Sequence, residues 1–217
     1  MALVSGGRLA AAVTSAGGLG LIGGYGDPQW LRREFERAGD TRVGCGFITW
    51  SLARNPGVLY IALARQQAAV MLSFGDLRPF AERIRDAGVP LTAQVQNLDQ
   101  ARRALDGGAD VIVAQGGEAG GHGMSARSTF TLVPEVVDLV AVRAPETMVL
   151  AAGGVADGRG LAAAPWWAPG SGRPPSRWLH HARSSRQCAP TATTPCGPAS
   201  MTLCASLIGP PSTTRGR

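Results

Sequence analysis

The sequence lacks any apolar run approaching the roughly 20 residues that a membrane-spanning helix requires. Its first residues also lack the basic start and long apolar centre of a secretory signal peptide. We therefore expect a cytoplasmic protein, and its 217 residues are enough for one domain with a substantial core.

Acidic residues are absent after Ala164, whereas residues 1–164 carry fifteen arginines and fifteen acids. The net charge of +6 therefore comes from six arginines in residues 165–217. A basic protein can indicate a nucleic-acid partner, but here the body of the chain is neutral. We expect neither nucleic acid nor a membrane as a partner.

Closely spaced cysteine pairs are also absent. Cys45 is alone in the body, and the other three cysteines lie after residue 164, with none of the C-x-x-C spacings typical of zinc sites. A cytoplasmic chain should not depend on disulfides. The sequence thus predicts no metal site, and Cys45 is more simply a small strand residue than a nucleophile.

Short apolar runs alternate with amphipathic segments from Leu19 to Gly154, and each run ends on glycine or a small polar residue. This alternation is typical of parallel β/α units. The predicted strands are Leu19–Ile22, Val43–Ile48, Ala69–Phe74, Pro90–Val95, Asp110–Ala114 and Met148–Ala152. The predicted helices are Arg8–Ala16, Pro28–Ala38, Pro56–Gln66, Leu77–Ala87, Leu98–Leu105 and Leu132–Val142.

Six such units are too many for a small flavodoxin-like sheet and too few for a closed eight-fold barrel of about 250 residues. The chain starts just before a helix with no strand in front of it, and no eighth strand is predicted after Leu161–Ala164. We expect residues 1–164 to form an incomplete TIM-type (β/α)8 barrel without its first strand and its eighth β/α unit.

Residues 165–217 have a different composition. They hold nine of the fifteen prolines and three of the five tryptophans, with no helical or strand periodicity. Disordered linkers are rich in Glu, Ser and Lys, so this composition instead favours translation of a GC-rich gene in the wrong frame. We hypothesise a frameshift near Ala164; a genuine irregular tail is the alternative.

One stretch, Asp110–Met124, combines a buried strand with a glycine-rich loop that carries Glu118 and His122. Loops after the carboxyl ends of parallel strands are where α/β proteins place their sites. An ionisable ring on such a loop predicts chemistry there, and a glycine-rich turn with a solvated histidine is the simpler interpretation. Glu118 is either a base or, more simply, an acceptor for backbone N–H groups.

Three motifs give the body its resemblance to a known family. They are S-A-G-G-L-G-L-I-G-G at Ser15–Gly24, Q-G-G-E-A-G-G-H-G at Gln115–Gly123 and A-A-G-G-V-A-D-G at Ala151–Gly158. In this order the motifs resemble the flavin-dependent nitronate monooxygenases, formerly 2-nitropropane dioxygenases. The resemblance covers residues 1–164 and implies a TIM barrel with FMN at the carboxyl ends of its strands.

The resemblance also implies site residues. Met1 matches the methionine at the end of the family's first strand, Gln115 and Gly120 match flavin contacts, and Gly153 and Gly154 match the phosphate-binding turn. Bare backbone N–H groups before a helix suit an anion, so this assignment is physically reasonable. Two departures are Gly46, where many members carry a flavin-contacting asparagine, and a second phosphate contact, a G-T pair, which has no match.

The implied reaction is the oxidation of an alkyl nitronate by O₂ to a carbonyl compound and nitrite, with the substrate a small nitronate or nitroalkane. His122 matches the histidine beside the flavin ring and would serve as base and as stabiliser of the anion. Asp157 is more simply a helix cap, and Trp50 is either a pocket residue or packing. The alternatives are an enoyl-acyl-carrier-protein reductase or other FMN oxidoreductase using NAD(P)H, and a non-functional fragment.

Overall fold

A computed structural model describes residues 4–65, 67–121, 123 and 127–155, together with two short strands at 179–180 and 204–205. The predicted Met1, His122 and Asp157 lie outside the described residues. The helices are α1 Gly7–Ser15, α2 Pro28–Ala38, α3 Thr49–Arg54, α4 Gly57–Leu63, α5 Arg78–Asp86, α6 Leu98–Asp106 and α7 Thr129–Arg143. The strands are β1 Leu19–Gly24, β2 Gly44–Ile48, β3 Val70–Ser73, β4 Leu91–Val95, β5 Val111–Gln115, β6 Met148–Ala152, β7 Leu179–His180 and β8 Cys204–Ala205.

Strands β1 to β6 form one parallel sheet in chain order, with a helix after each of the first five. The six strands curl into a half-barrel, which confirms the predicted incomplete (β/α)8 architecture. Two pairings were not predicted: β7 adds to β6 in the parallel sense, and β8 adds to β1 in the antiparallel sense. Each involves only two residues, so neither amounts to a β/α unit.

Each central strand is buried on both faces, as expected of a parallel sheet covered by helices. Alternate residues such as Leu72, Ala93 and Ile112 join the large core between sheet and helices. The opposite face forms a smaller apolar cluster inside the curled sheet, made of Leu19, Leu21, Ala69, Met71, Val113 and Ala152. The two clusters show which face each side chain of β1 to β6 points to.

Helix boundaries follow local capping. The Asp27 carboxylate accepts hydrogen bonds from the N–H groups of Gln29 and Trp30, and Pro28 occupies the first helical position, as predicted. The start predicted for α7 was wrong by three residues, because Ser128 caps the helix and Thr129 is its first residue. This difference brings the start of α7 close to the loop after β5.

Helix α3 was not predicted. Its six residues follow β2 without a connecting loop, and they are too few to show an apolar periodicity. Asn55, at its end, donates a side-chain hydrogen bond of 2.8 Å to the carbonyl oxygen of Gly26. The loop after β1 is thereby fastened to the segment after β2, at the carboxyl end of the sheet.

None of the helices in the described ranges is long and apolar enough to cross a membrane.

Candidate functional site

Two glutamines face the interior of the half-barrel at the carboxyl ends of neighbouring strands. Gln94 on β4 and Gln115 on β5 alternate with residues of the helix-facing core, so their side chains point inward. The Gln94 amide nitrogen donates to the Gln115 side-chain oxygen. Two amides at this end of the interior provide donors and acceptors for a polar ligand.

The glycine-rich loop after β5 is held by backbone hydrogen bonds. The Gly116 N–H donates to the Ala152 carbonyl over 2.9 Å, and the Gly117 N–H donates to the Arg127 carbonyl over 2.6 Å. A Cβ on Gly116 would overlap the backbone nitrogen and the hydroxyl oxygen of Thr129. Glycine at position 116 therefore allows the loop to lie directly against the start of α7.

Glu118 is a structural acceptor in this loop. One carboxylate oxygen lies 2.6 Å from the Ser128 hydroxyl, and the other lies 2.7 Å from both the N–H and the hydroxyl of Thr129. These three hydrogen bonds lower the pKa of Glu118 to about 2, with the Ser128 bond the largest cause. A carboxylate so fully engaged as an acceptor is a poor base at neutral pH, which favours the simpler of its two interpretations.

The lowered pKa of Glu118 predicts a pH dependence of stability. Because the folded-state pKa lies below the ordinary 4.5, the contribution of the ionised carboxylate is complete above about pH 4.5 and is lost as the pH falls towards 2. We expect the free energy of unfolding of the wild type to exceed that of Glu118→Gln at pH 6, and the difference to shrink as the pH falls from 4.5 to 2.5. Urea denaturation of both proteins measures it, and a pH-independent difference would contradict the assignment.

The turn after β6 has the conformation expected of an anion-binding backbone. Gly153 and Gly154 have φ angles of +111° and +74°, which side chains disfavour. Among the described residues, none accepts a backbone hydrogen bond from the N–H of either glycine. A turn at the carboxyl end of a strand, whose N–H groups have no backbone acceptor within the described ranges, can bind an anionic group.

Gly120 and Gly46 are two further positions singled out from the sequence that lie in the described ranges. Gly120 lies in the exposed part of the loop after β5, close in sequence to Gln115. Gly46 lies on β2, in register with Gly23 and Met71. Because it alternates with the helix-facing Cys45, it faces the interior. Gln115 is in register with Ala152, so it lies beside the Gly153–Gly154 turn, whereas Gly120 follows it in the same loop.

Trp50 lies in the first turn of α3 and is 45% exposed. Its ring meets that of Tyr25 edge-on, with centroids 6.3 Å apart, and the Arg54 guanidinium carbon lies 5.2 Å from the Trp50 centroid. The indole is therefore not a core residue, and it stands at the carboxyl end of β2, on the rim of the half-barrel. Rings exposed at such a rim are available to contact a ligand.

Cys45 is fully buried in β2. Burial raises the pKa of its thiol well above the usual range, and a hydrogen bond with the Gly24 backbone offsets only part of this effect. A buried neutral thiol is a poor nucleophile, so Cys45 acts as a small strand residue, as the sequence suggested.

Similarity to known proteins agrees with this arrangement. The nitronate monooxygenase family profile matches residues 54–166, which is 113 of the 217 residues. The chain belongs to the nitronate monooxygenase family. The family resemblance recognised in the three motifs is therefore confirmed.

A nitronate monooxygenase from Neurospora crassa is 32% identical over 204 residues, covering 76% of this chain and 54% of that protein. The structure of FabK from Thermotoga maritima superposes with a TM-score of 0.68 at 32% identity, covering 77% of this chain and 53% of that one. A nitroalkane oxidase from Streptomyces ansochromogenes superposes with a TM-score of 0.60 at 26% identity, covering 74% and 59%. The chain thus spans about half the length of the curated relatives it matches.

Sequence reasoning missed Gln94 in this member of the nitronate monooxygenase family. A signal was available, because Gln94 and Gln115 are each a polar residue at an inward position near the carboxyl end of an apolar strand. It also missed Thr129, a hydroxyl residue that is only 2% exposed. Its role depends on contacts with residues 11 and 23 positions away, which no local pattern reveals.

Proposed function

We propose that the protein is an FMN-dependent nitronate monooxygenase that oxidises alkyl nitronates with O₂ to carbonyl compounds and nitrite. Family membership supports this reaction class. The observation that carries the proposal is the set of ligand-binding groups at one end of the sheet: two inward amides, a glycine-rich loop and a left-handed glycine turn. Parallel β/α proteins bind their ligands at this end.

The residues present fit FMN. The N–H groups of Gly153 and Gly154 would bind the phosphate, and the exposed Gly154 leaves access to them. Gln115 would hydrogen-bond the polar part of the cofactor from the barrel interior, and Gly120 would let the loop approach closely. Met1, which matches the methionine at the end of the family's first strand, would also contact the flavin. When bound, FMN would supply the electron-transfer chemistry between the substrate and O₂.

His122 is proposed as the base and as the stabiliser of the anion. A neutral imidazole has a pKa close to the working pH, so it can accept the α-proton of a nitroalkane. The resulting imidazolium can then donate a hydrogen bond to the nitronate oxygen. This assignment rests on the match of His122 to the family motif, and Glu118 is no competitor because its carboxylate is engaged by Ser128 and Thr129.

A flavin-dependent reductase that uses NAD(P)H, such as an enoyl-acyl-carrier-protein reductase, is the second candidate. FabK, a flavin-dependent oxidoreductase, superposes on this chain with a higher TM-score and identity than the nitroalkane oxidase does, which supports a flavoenzyme other than a nitronate monooxygenase. The two functions differ in the molecule that reduces the flavin. A reductase must accept hydride quickly from a nicotinamide, whereas a nitronate monooxygenase takes its electrons from the nitronate.

The test uses the purified full chain supplied with FMN. We expect retained flavin absorbance, release of nitrite with consumption of O₂ when the nitronate of 2-nitropropane is added, and slow flavin bleaching by NADH under anaerobic conditions. Fast bleaching without nitrite would overturn the proposal in favour of the reductase. Absence of bound flavin would overturn both candidate functions and would support the alternative that the chain is a non-functional fragment.

A further inference from the structure

Three segments of the candidate site meet at one pair of residues. Glu118, in the loop after β5, and Thr129, the first residue of α7, are joined by two hydrogen bonds of 2.7 Å, from the Thr129 N–H and from its hydroxyl. The Thr129 hydroxyl also lies 3.3 Å from the carbonyl oxygen of Ala152, the last residue of β6. We call this pair the Glu118–Thr129 clamp.

The Gly153–Gly154 turn rests directly on the clamp. A Cβ on Gly153 would lie 2.7 Å from the Thr129 hydroxyl oxygen, and a Cβ on Gly154 would lie 3.2 Å from the Cβ of Glu118. Both distances are shorter than ordinary van der Waals contact, so the turn has little room to shift while the clamp is closed. The clamp therefore restricts the φ angles that the two glycines can adopt.

The negative charge of Glu118 strengthens the clamp. The carboxylate accepts hydrogen bonds from one backbone N–H and two hydroxyl groups, and bonds to an ionised acceptor are about twice as strong as neutral ones. It also stands at the positive end of α7, a helix of 15 residues. Thr129 is almost completely buried, so water cannot readily replace its hydroxyl as a donor.

We propose that Glu118 and Thr129 are positioning residues, which hold the Gly153–Gly154 turn in the conformation that binds the phosphate of the cofactor. The inference rests on the proposed function, since it assumes that this turn receives the phosphate of FMN. It extends that function by giving the loop after β5 a second task. Besides carrying its own cofactor contacts, the loop sets the geometry of a turn on the neighbouring strand.

The decisive comparison is between FMN and riboflavin, which differ by the phosphate alone. Thr129→Val removes the hydroxyl while keeping the shape of the side chain. We expect it to weaken FMN binding by about tenfold and to change riboflavin binding by less than twofold. Glu118→Gln should act in the same direction, and Thr129→Ser, which keeps the hydroxyl, should restore FMN affinity.

Thr131→Val is the matched control. It makes the same substitution two residues later in α7, where the exposed hydroxyl donates to the Ser128 carbonyl and has no other partner among the described residues. It should leave both affinities unchanged. Equal losses for FMN and riboflavin in Thr129→Val would overturn the inference, because they would indicate a general structural role rather than positioning of the phosphate turn.

Hydrogen exchange on the flavin-free protein separates failure of the clamp from failure of the proposed function. We expect Thr129→Val to speed amide exchange in residues 116–121 and 152–155, while exchange in β3 and β4 stays the same. Unchanged exchange would overturn the clamp even if FMN binds. A wild type that binds neither flavin would overturn the proposed function and with it the cofactor role of the clamp, whatever the exchange result.

Discussion

Replacing His122 with asparagine should lower turnover of a neutral nitroalkane by about 10²- to 10⁴-fold, the usual contribution of a positioned general base. Asparagine can still donate a hydrogen bond, but it cannot accept a proton at neutral pH. With a preformed nitronate as substrate the loss should be smaller, because no proton has to be removed. Steady-state nitrite release with the two substrates measures both effects.

The other two histidines of the chain, His180 and His181, provide the control. A double replacement of both by asparagine should leave turnover and bound flavin unchanged. If His122→Asn lowers turnover equally with nitroalkane and nitronate, the result would contradict the role of His122 as a base and support only its role in stabilising the anion. Turnover within a few-fold of the wild type would contradict both roles.

Replacing Gly116 with alanine should cost about 3 kcal/mol in the free energy of unfolding, at the upper end of the range for an overpacked site. The new methyl group would overlap the backbone nitrogen of Thr129, and backbone cannot move aside by rotating a side chain. The loop after β5 would have to move away from α7, which would also open the Glu118–Thr129 clamp. Urea denaturation measures the stability loss, and flavin absorbance should be lost with it.

Gly57→Ala is the matched control, because it makes the same chemical change at the start of α4. The nearest atom to a Cβ there is the Asn55 side-chain oxygen at 3.4 Å, and alanine favours a helix over glycine. We expect stability unchanged or raised by up to about 1 kcal/mol. Similar losses in the two variants would show that close packing at Gly116 is not the cause.

The sheet could be predicted because each strand is a short, mostly apolar run, and parallel strands buried on both faces have that pattern. Helix α2 was placed correctly because Asp27 and Pro28 mark its start in the local sequence. Helix α3 was missed because six residues cannot show a helical period, and the start of α7 was misplaced because Ser128 precedes no obvious apolar stripe.

Residue types in the candidate site could be predicted, but most of their partners could not. The glycines and Glu118 stand out within one stretch of chain, whereas the contacts of Glu118 with Ser128 and Thr129 cross a ten- to eleven-residue separation. The pairing of Gln94 with Gln115 depends on the register between β4 and β5. Such contacts are properties of the folded sheet, so a local pattern can name one partner at most.

The buried thiol of Cys45 can serve as a chemical probe of local opening in the half-barrel. Its thiol lies on the helix-facing side of β2, so an alkylating reagent can reach it only when the covering helices move away from the sheet. Its raised pKa keeps the reactive thiolate scarce until that moment. The rate at which Cys45 is modified, followed by peptide mass mapping under native conditions, would therefore report how often the helices separate from the sheet, and bound cofactor should slow it in proportion to affinity.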